Sequence, residues 1–225
     1  MISFKGHRFE NTFILLCVRW YLAYPLSYRN LEEMMAERGV EVDHTNIYRW
    51  VQKFSPKLEA EFRKCHKRSV GDSWRMDETY IKINGDWKYL YRAVDKNGQT
   101  IDFLLTARRD KKAALRFFKK AIGLHGLPKK ITIDKSGSNT AAIEAVKEET
   151  GQVIELRQIK YLNNLVEQDH RSIKRIVKPM LGFKSFNSAR NTLRGIELMH
   201  MIKKGQMITD EKNLSVAGQF YSLAA

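Results

Sequence analysis

The stretch WRMDETYIKINGDWKYLYRAVDKNGQTIDFLLT, residues 74–106, decides the fold. Trp74 to Ile83 is rich in β-branched and aromatic residues and reads as a strand. Asn84-Gly85 is a two-residue hairpin signal, because both central positions of a type I′ turn need φ > 0. Asp86 to Val94 is the return strand, carrying Trp87, Tyr89 and Tyr91. Asn97-Gly98 marks a second turn, and Thr100 to Thr106 gives a third strand. Three antiparallel strands in succession are therefore predicted.

Helical and strand patterns alternate beyond this meander. Asp110 caps a helix to about Ile122 whose outer face is basic (Lys111, Lys112, Arg116, Lys119, Lys120). Lys130 to Asp134 is a short buried strand, followed by the loop Ser136-Gly137-Ser138 and a helix over 139–149. A strand at 152–157, a helix over 163–177 stopped near Pro179, and a last helix over 186–204 complete the pattern. The order β-β-β-α-β-α-β-α, in one mixed sheet, resembles the ribonuclease H-like fold, a topological match that by itself says little about reaction.

Upstream, Thr12 to Tyr24 is an apolar helix ended by Pro25, and Ser27 caps a second helix that Gly39 stops. Asp43 caps a third, in which Ile47, Trp50, Val51 and Phe54 form one buried stripe at i, i+3, i+4 and i+7. His44, Thr45, Tyr48, Arg49 and Gln52 are left outside. A tight turn before the last of three short helices resembles a helix-turn-helix, and these outer side chains can reach base edges and phosphates. The expected organisation is a helix-turn-helix at 1–54, a basic linker at 55–72, a catalytic α/β domain at 73–205, and a tail at 206–225.

The chain has 225 residues, 40 Lys+Arg against 25 Asp+Glu, and a formal net charge of +15. The excess is uneven: residues 1–72 carry a net +3 and residues 73–225 a net +12. Such a field points to a polyanionic partner, since neutralised phosphates release condensed counterions. A hydrophobic content of 43% excludes global disorder. No apolar run reaches the roughly 18 residues of a membrane span. Residues 1–5 lack a signal-peptide core, so a cytoplasmic protein is expected. Cys17 and Cys65 stand far apart, which excludes a disulfide framework and a thiolate zinc site.

Three acids occupy informative places. Asp77 lies in the first strand, beside Glu78; a period of two sends the pair to opposite faces, and the sequence alone does not choose between them. Asp134 ends the fourth strand before a Gly/Ser loop, where open α/β sheets place ligands. Glu167 shares a helical face with His170, Arg171 and Lys174. Asp95 and Asp102 are rivals, although Asp95 fits better as a residue entering the Asn97-Gly98 turn. Hard oxygen donors without thiolates suit Mg²⁺ or Mn²⁺. Two such ions about 3.5–4 Å apart support in-line phosphodiester displacement.

Several segments together resemble the transposases of the bacterial insertion-sequence six family, a branch of the DDE transposase and retroviral integrase superfamily. They include Ser27-Tyr28-Arg29, residues 36–40, the helix Ile47–Gln52, Met76-Asp77-Glu78-Thr79-Tyr80-Ile81-Lys82 and Tyr89–Asp95. Further on come Asp134-Lys135, residues 159–164, Glu167-Gln168-Asp169-His170 and residues 181–185. The resemblance implies a metal-binding catalytic triad of Asp77, Asp134 and Glu167, with Lys174 on transposon-end DNA. Where many members read Ala-Pro after the second acid, this chain reads Ser136-Gly137, which implies an altered loop.

The expected activity is DNA transposition and integration of an insertion sequence, a mobile genetic element. Terminal inverted repeats are bound, then 3′-end cleavage and strand transfer into target DNA proceed with two Mg²⁺ ions, Mn²⁺ substituting. The resemblance further implies replicative, cointegrate-type transposition. Candidate DNA contacts are His44, Thr45, Tyr48, Arg49, Arg171, Lys174 and Arg175. Expected partners are double-stranded DNA and further copies of the chain, in a homodimer or larger synaptic complex, with no membrane; a nucleoid-associated location follows. Two rivals use the same features: a non-catalytic helix-turn-helix DNA-binding regulator, and a ribonuclease H-like nuclease without strand transfer.

Overall fold

The computed structural model describes residues 2–159, 163–209 and 213–224. The chain forms two compact units, one of residues 69–172 and one of residues 1–68 with 173–225. This division differs from the expected one, because residues 173–225 group with the N-terminal helices and not with the sheet.

The sheet unit holds β1 (Ser73–Ile83), β2 (Asp86–Asp95), β3 (Thr100–Thr106), α4 (Lys111–His125), β4 (Lys130–Thr132), α5 (Gly137–Thr150) and β5 (Glu155–Arg157). The first turns of α6 (Asn164–Val177) also belong to it. Strand order is β3-β2-β1-β4-β5, with β1–β2 and β2–β3 antiparallel and β1–β4 and β4–β5 parallel. An antiparallel meander continued by parallel αβ units is the ribonuclease H-like architecture. Asn84 and Gly85 both take positive φ, 50° and 85°, as a two-residue turn between right-twisted strands requires.

Period two divides the sheet into two faces. Trp74 and Met76 of β1, Tyr91 and Ala93 of β2, and Ile131 and Ile133 point to one side. There they are buried with Ala114, Phe117, Phe118 and Ala121 of α4 and with Ala142, Ile143 and Val146 of α5. Each large side chain so buried contributes about 1.5–3 kcal/mol. Arg75, Asp77, Thr79 and Arg92 point to the other side, where α6 begins. Asp95 is settled as a turn residue: its Oδ1 accepts the Asn97 and Gln99 amides at 2.9 Å. Asp102 is buried and pairs with Lys120 Nζ at 2.9 Å, so both rivals are structural.

The helical unit holds α1 (Asn11–Ala23), α2 (Tyr28–Ala36), α3 (His44–Glu61), the last turns of α6, α7 (Phe186–Lys203) and α8 (Val216–Ser222). Ser27 and Asn30 close a full capping box on α2, Asp43 caps α3 through the Thr45 amide, and Gly39 takes φ 72° between them. The stripe Ile47, Trp50, Val51 and Phe54 is buried as expected, in an arrangement consistent with a helix-turn-helix.

The linker expected at 55–72 is a correction: α3 runs on through Pro56 to Glu61, and a wide turn follows at Phe62–His66. Pro56 cannot donate to the carbonyl of Gln52. Asn191 Nδ2 on α7 stands 3.5 Å from that oxygen instead, while Leu58 and Phe62 extend the buried stripe. The remaining connector is tied down too. Arg68 N donates to Gln206 O at 3.0 Å and Arg68 Nε to Met207 O at 3.2 Å. The expected tail at 206–225 likewise contains α8, capped by Ser215 and anchored by buried Phe220 and Leu223. Residues 160–162, part of a segment quoted above, lie outside the described residues, as do 210–212.

Gly195 on α7 marks a close approach between helices. A β-carbon there would stand 2.5 Å from Leu22 Cδ1 and 2.9 Å from Ser55 Cβ. Gly195→Ala should therefore cost about 1–3 kcal/mol by overpacking. Thermal unfolding should show a melting temperature lower by about 2–10 °C; an unchanged melt would contradict this packing.

Candidate active site

The site is built by the parallel pairing of β1 with β4. That register pairs Arg75 with Thr132. Two residues further along the chain stand Asp77, still within β1, and Asp134, which lies in the loop past the end of β4 and not in the strand as expected, since β4 stops at Thr132. The chain then leaves the sheet. Ser136 N donates to Asp134 Oδ1 at 3.2 Å and α5 begins at Gly137, so the Ser-Gly sequence holds the second acid through a backbone amide.

Asp77, Glu78 and Asp134 converge: one carboxylate oxygen of each lies within 4.8 Å of the others. Although Asp77 and Glu78 leave β1 on opposite faces, β4 stops at Thr132, and the open edge lets both carboxylates approach Asp134. Their surroundings differ. The Glu78 side chain is 4% exposed, and its oxygens accept from Arg109 at 3.2 and 3.4 Å and from Asn139 Nδ2 at 3.1 Å. Burial pushes the Glu78 carboxyl above its ordinary range, while Arg109 and Asn139 pull it back. The Asp77 and Asp134 side chains are 19% and 41% exposed, so they face the accessible side.

Arg109 and Arg92 are residues that the sequence reading missed. Arg109, just before the Asp110 cap of α4, also donates to Asp134 Oδ2 at 3.1 Å. Its guanidinium thus bridges two of the three acids. Arg92 lies opposite Asp77 on β2 and is fully buried. It pairs with Asp169 Oδ2 at 2.7 Å and stands 3.3 Å from His170 Nδ1. His170 Nε2 is in turn 3.3 Å from Asp77 Oδ2. A buried charge must be partnered, so Arg92 fixes the start of α6 against the sheet. Two signals were available in the sequence: an Arg amid the apolar run of β2, and the acid and histidine following Glu167.

Glu167 is exposed on α6, three residues before His170 or about 4.5 Å of helix rise. Its carboxylate is not among the three that converge. Of the expected DNA contacts, Thr45, Tyr48, Arg49, Arg171, Lys174 and Arg175 are exposed. His44 is half-buried, with Nδ1 3.0 Å from Glu32 Oε2, and the Tyr48 ring meets Tyr28 edge-on at 5.6 Å.

Three carboxylates with no thiolate, partly desolvated and drawn together, are a donor set that fits a hard divalent cation. The helices described contain none long and apolar enough to cross a membrane. Comparison with known proteins agrees with the chemistry. A family model described as a DDE domain matches residues 71–206. The transposase for insertion sequence-like element IS431mec of Staphylococcus aureus is 43% identical over 209 residues, covering 91% of this chain and 90% of that protein. The transposase for insertion sequence element IS257 in transposon Tn4003, also from Staphylococcus aureus, is 42% identical over the same length and coverage.

Arg109 and a divalent cation would compete for the same oxygens. In a Mn²⁺ titration followed by the paramagnetic resonance of the free ion, Asp134→Asn should weaken binding by about tenfold or more. Arg109→Gln should tighten it, because a like charge is removed. Unchanged binding in both variants would show that this cluster is not the cation site.

Proposed function

The chain belongs to the insertion-sequence six family of DDE transposases, and from that premise we propose that it cuts and joins DNA at the ends of a mobile element through Asp77, Asp134 and Glu167. The observation that carries this reading is the convergence of carboxylates where β1 and β4 run side by side. Asp77 and Asp134 are its accessible members, whereas Glu78 is occupied by Arg109 and Asn139. In this reading Glu167, whose carboxylate stands outside the converged three, joins Asp77 and Asp134 from α6, a helix anchored to the sheet by the Arg92 network and by the His170–Asp77 contact.

Mg²⁺, or Mn²⁺ in its place, held by these acids in a pair would polarise the scissile phosphodiester and lower the pKa of an attacking water. Asp77 on β1 and Asp134 just past β4 already stand together, so two of the three acids are preorganised. Water opens the phosphodiester at the element end, leaving a 3′-hydroxyl on the element and a 5′-phosphate on the flank. That hydroxyl attacks a target phosphodiester and expels the target's 3′-hydroxyl. One phosphodiester is made for each one broken, so the joining step needs no nucleotide cofactor. Joining one strand at each end gives replicative, cointegrate-type transposition.

Exposed Thr45, Tyr48, Arg49, Arg171, Lys174 and Arg175, together with His44, take the DNA of the terminal inverted repeats. Lysine and arginine contacts to phosphate supply affinity and register, while the start of α3 reads base edges. Two ends must be processed together, so the working form is a homodimer or a larger synaptic assembly of the chain on DNA.

With a labelled terminal repeat, target plasmid and Mg²⁺, the wild-type chain should yield joined product. Asp77→Asn, Asp134→Asn and Glu167→Gln should each lose more than the roughly 10–100-fold that removing an outer-shell partner costs, while still binding the repeat. Wild-type turnover in all three variants would overturn the assignment.

A further inference from the structure

The sheet face that carries Glu78 does not end at the active site. Beyond the part covered by α4 and α5 it continues along the β1–β2 ribbon as three cross-strand pairs: Glu78–Tyr91, Tyr80–Tyr89 and Lys82–Trp87. With two residues per repeat, Tyr80 stands about 7 Å and Lys82 about 14 Å along the strand from Glu78. The Tyr80 ring lies 5.5 Å from Tyr89 and 6.3 Å, edge-on, from Trp87.

This aromatic row faces solvent. Tyr80 is 51% exposed, Trp87 is 60% exposed, and Lys82 beside them is exposed. A cross-strand contact alone would steady the ribbon with far less apolar surface left in water. The ladder is unbroken to the Ile83–Asp86 pair, and Asn84-Gly85 closes it without a flexible loop. The rings are therefore presented by a rigid ribbon, with a cation among them, on a chain of formal net charge +15. Aromatic rings interleaved with basic side chains on a sheet face suit unpaired nucleic acid bases, which stack on the rings while phosphates meet the cations.

We propose that the exposed β1–β2 face is a stacking platform for unpaired bases of the DNA strand beside the scissile phosphate. Tyr80 and Trp87 take the bases, and Lys82 takes the backbone. The position next to the scissile phosphate rests on the reading of the acid cluster as the DNA-cutting site. Base stacking itself is a separate property and is measurable without metal or turnover.

The test is binding of the full chain, in metal-free buffer, to a fluorescent duplex that is either blunt or extended by a short unpaired 3′ flank containing 2-aminopurine. The wild type should prefer the extended duplex and quench the 2-aminopurine. Trp87→Ala should weaken binding of the extended duplex by about tenfold, leave the blunt duplex within about twofold and abolish the quench; Trp87→Phe should restore most of both. Equal loss on the two duplexes, or no loss on either, would overturn the platform. So would conversion of an oligomer to monomers by Trp87→Ala in sedimentation, which would make the face a contact between copies of the chain. Failure of the wild type to bind even the blunt duplex would instead strike at the DNA-processing reading on which the placement rests.

Discussion

The parallel pairing of β1 with β4 is the constraint on which the rest depends. It joins a hairpin strand to a strand that arrives more than fifty residues later, and it fixes which residues of the two stand abreast. Parallel neighbours in register share a face. Once Arg75 pairs with Thr132, Asp77 is set beside the end of β4, and the loop that follows holds Asp134 next to it through the Ser136 amide. The pairing is held by burial on the opposite face, where Trp74, Met76, Ile131 and Ile133 meet α4 and α5. A slip of one residue would turn those apolar side chains outward and separate the acids together. Fold stability and site geometry therefore rest on the same register.

Gathering like charges is costly, and the chain offsets that cost with two arginines of different kinds. Arg92 is fully buried and acts on α6, through Asp169 and His170, so that the helix carrying Glu167 starts from a fixed base. Arg109 is about one-third exposed and acts on the acids themselves, touching Glu78 and Asp134. Removing a partner from a buried pair leaves an uncompensated charge, which makes Arg92 a fixture. Arg109, more accessible, can be exchanged for another cation. The acids that it touches are also unequal: Glu78 is sequestered and Asp134 is open.

Much of this was legible in the sequence because the signals were local. Asn84-Gly85 gives the hairpin, and Asp110 and Ser27 give helix starts, whereas β4 stops at Thr132, two residues short of the expected end at Asp134. The choice between Asp77 and Glu78 was not legible, because both reach the open edge and only their partners distinguish them. Those partners, Arg109 and Asn139, are distant in sequence. The continuation of α3 beyond residue 54 was not legible either: Asn191 on α7, distant in sequence, stands by the carbonyl that Pro56 leaves without a donor, and the apolar stripe carries α3 past it. The grouping of residues 173–225 with the N-terminal helices left no compositional mark, since α7 is amphipathic in either setting.

The β1–β2 ribbon concentrates these themes in one element. Its two faces have different fates because period two separates them completely. One bears Asp77 and Arg92 and is covered by the start of α6; the other bears Glu78 and then runs out from beneath α4 and α5. A hairpin that served only to bury Ile81 and Ile83 on its covered face could carry small polar residues on the other. This one continues to Ile83 and Asp86, and its uncovered part carries Tyr80, Lys82, Tyr89 and Trp87 in place of the small polar residues that leave an exposed sheet face inert. The extension begins at the carboxylates and leads away from them. The other face of the extension serves the core through buried Ile81, Ile83 and Leu90, so it is the exposed aromatic face that is better explained by what passes across it than by the fold that supports it.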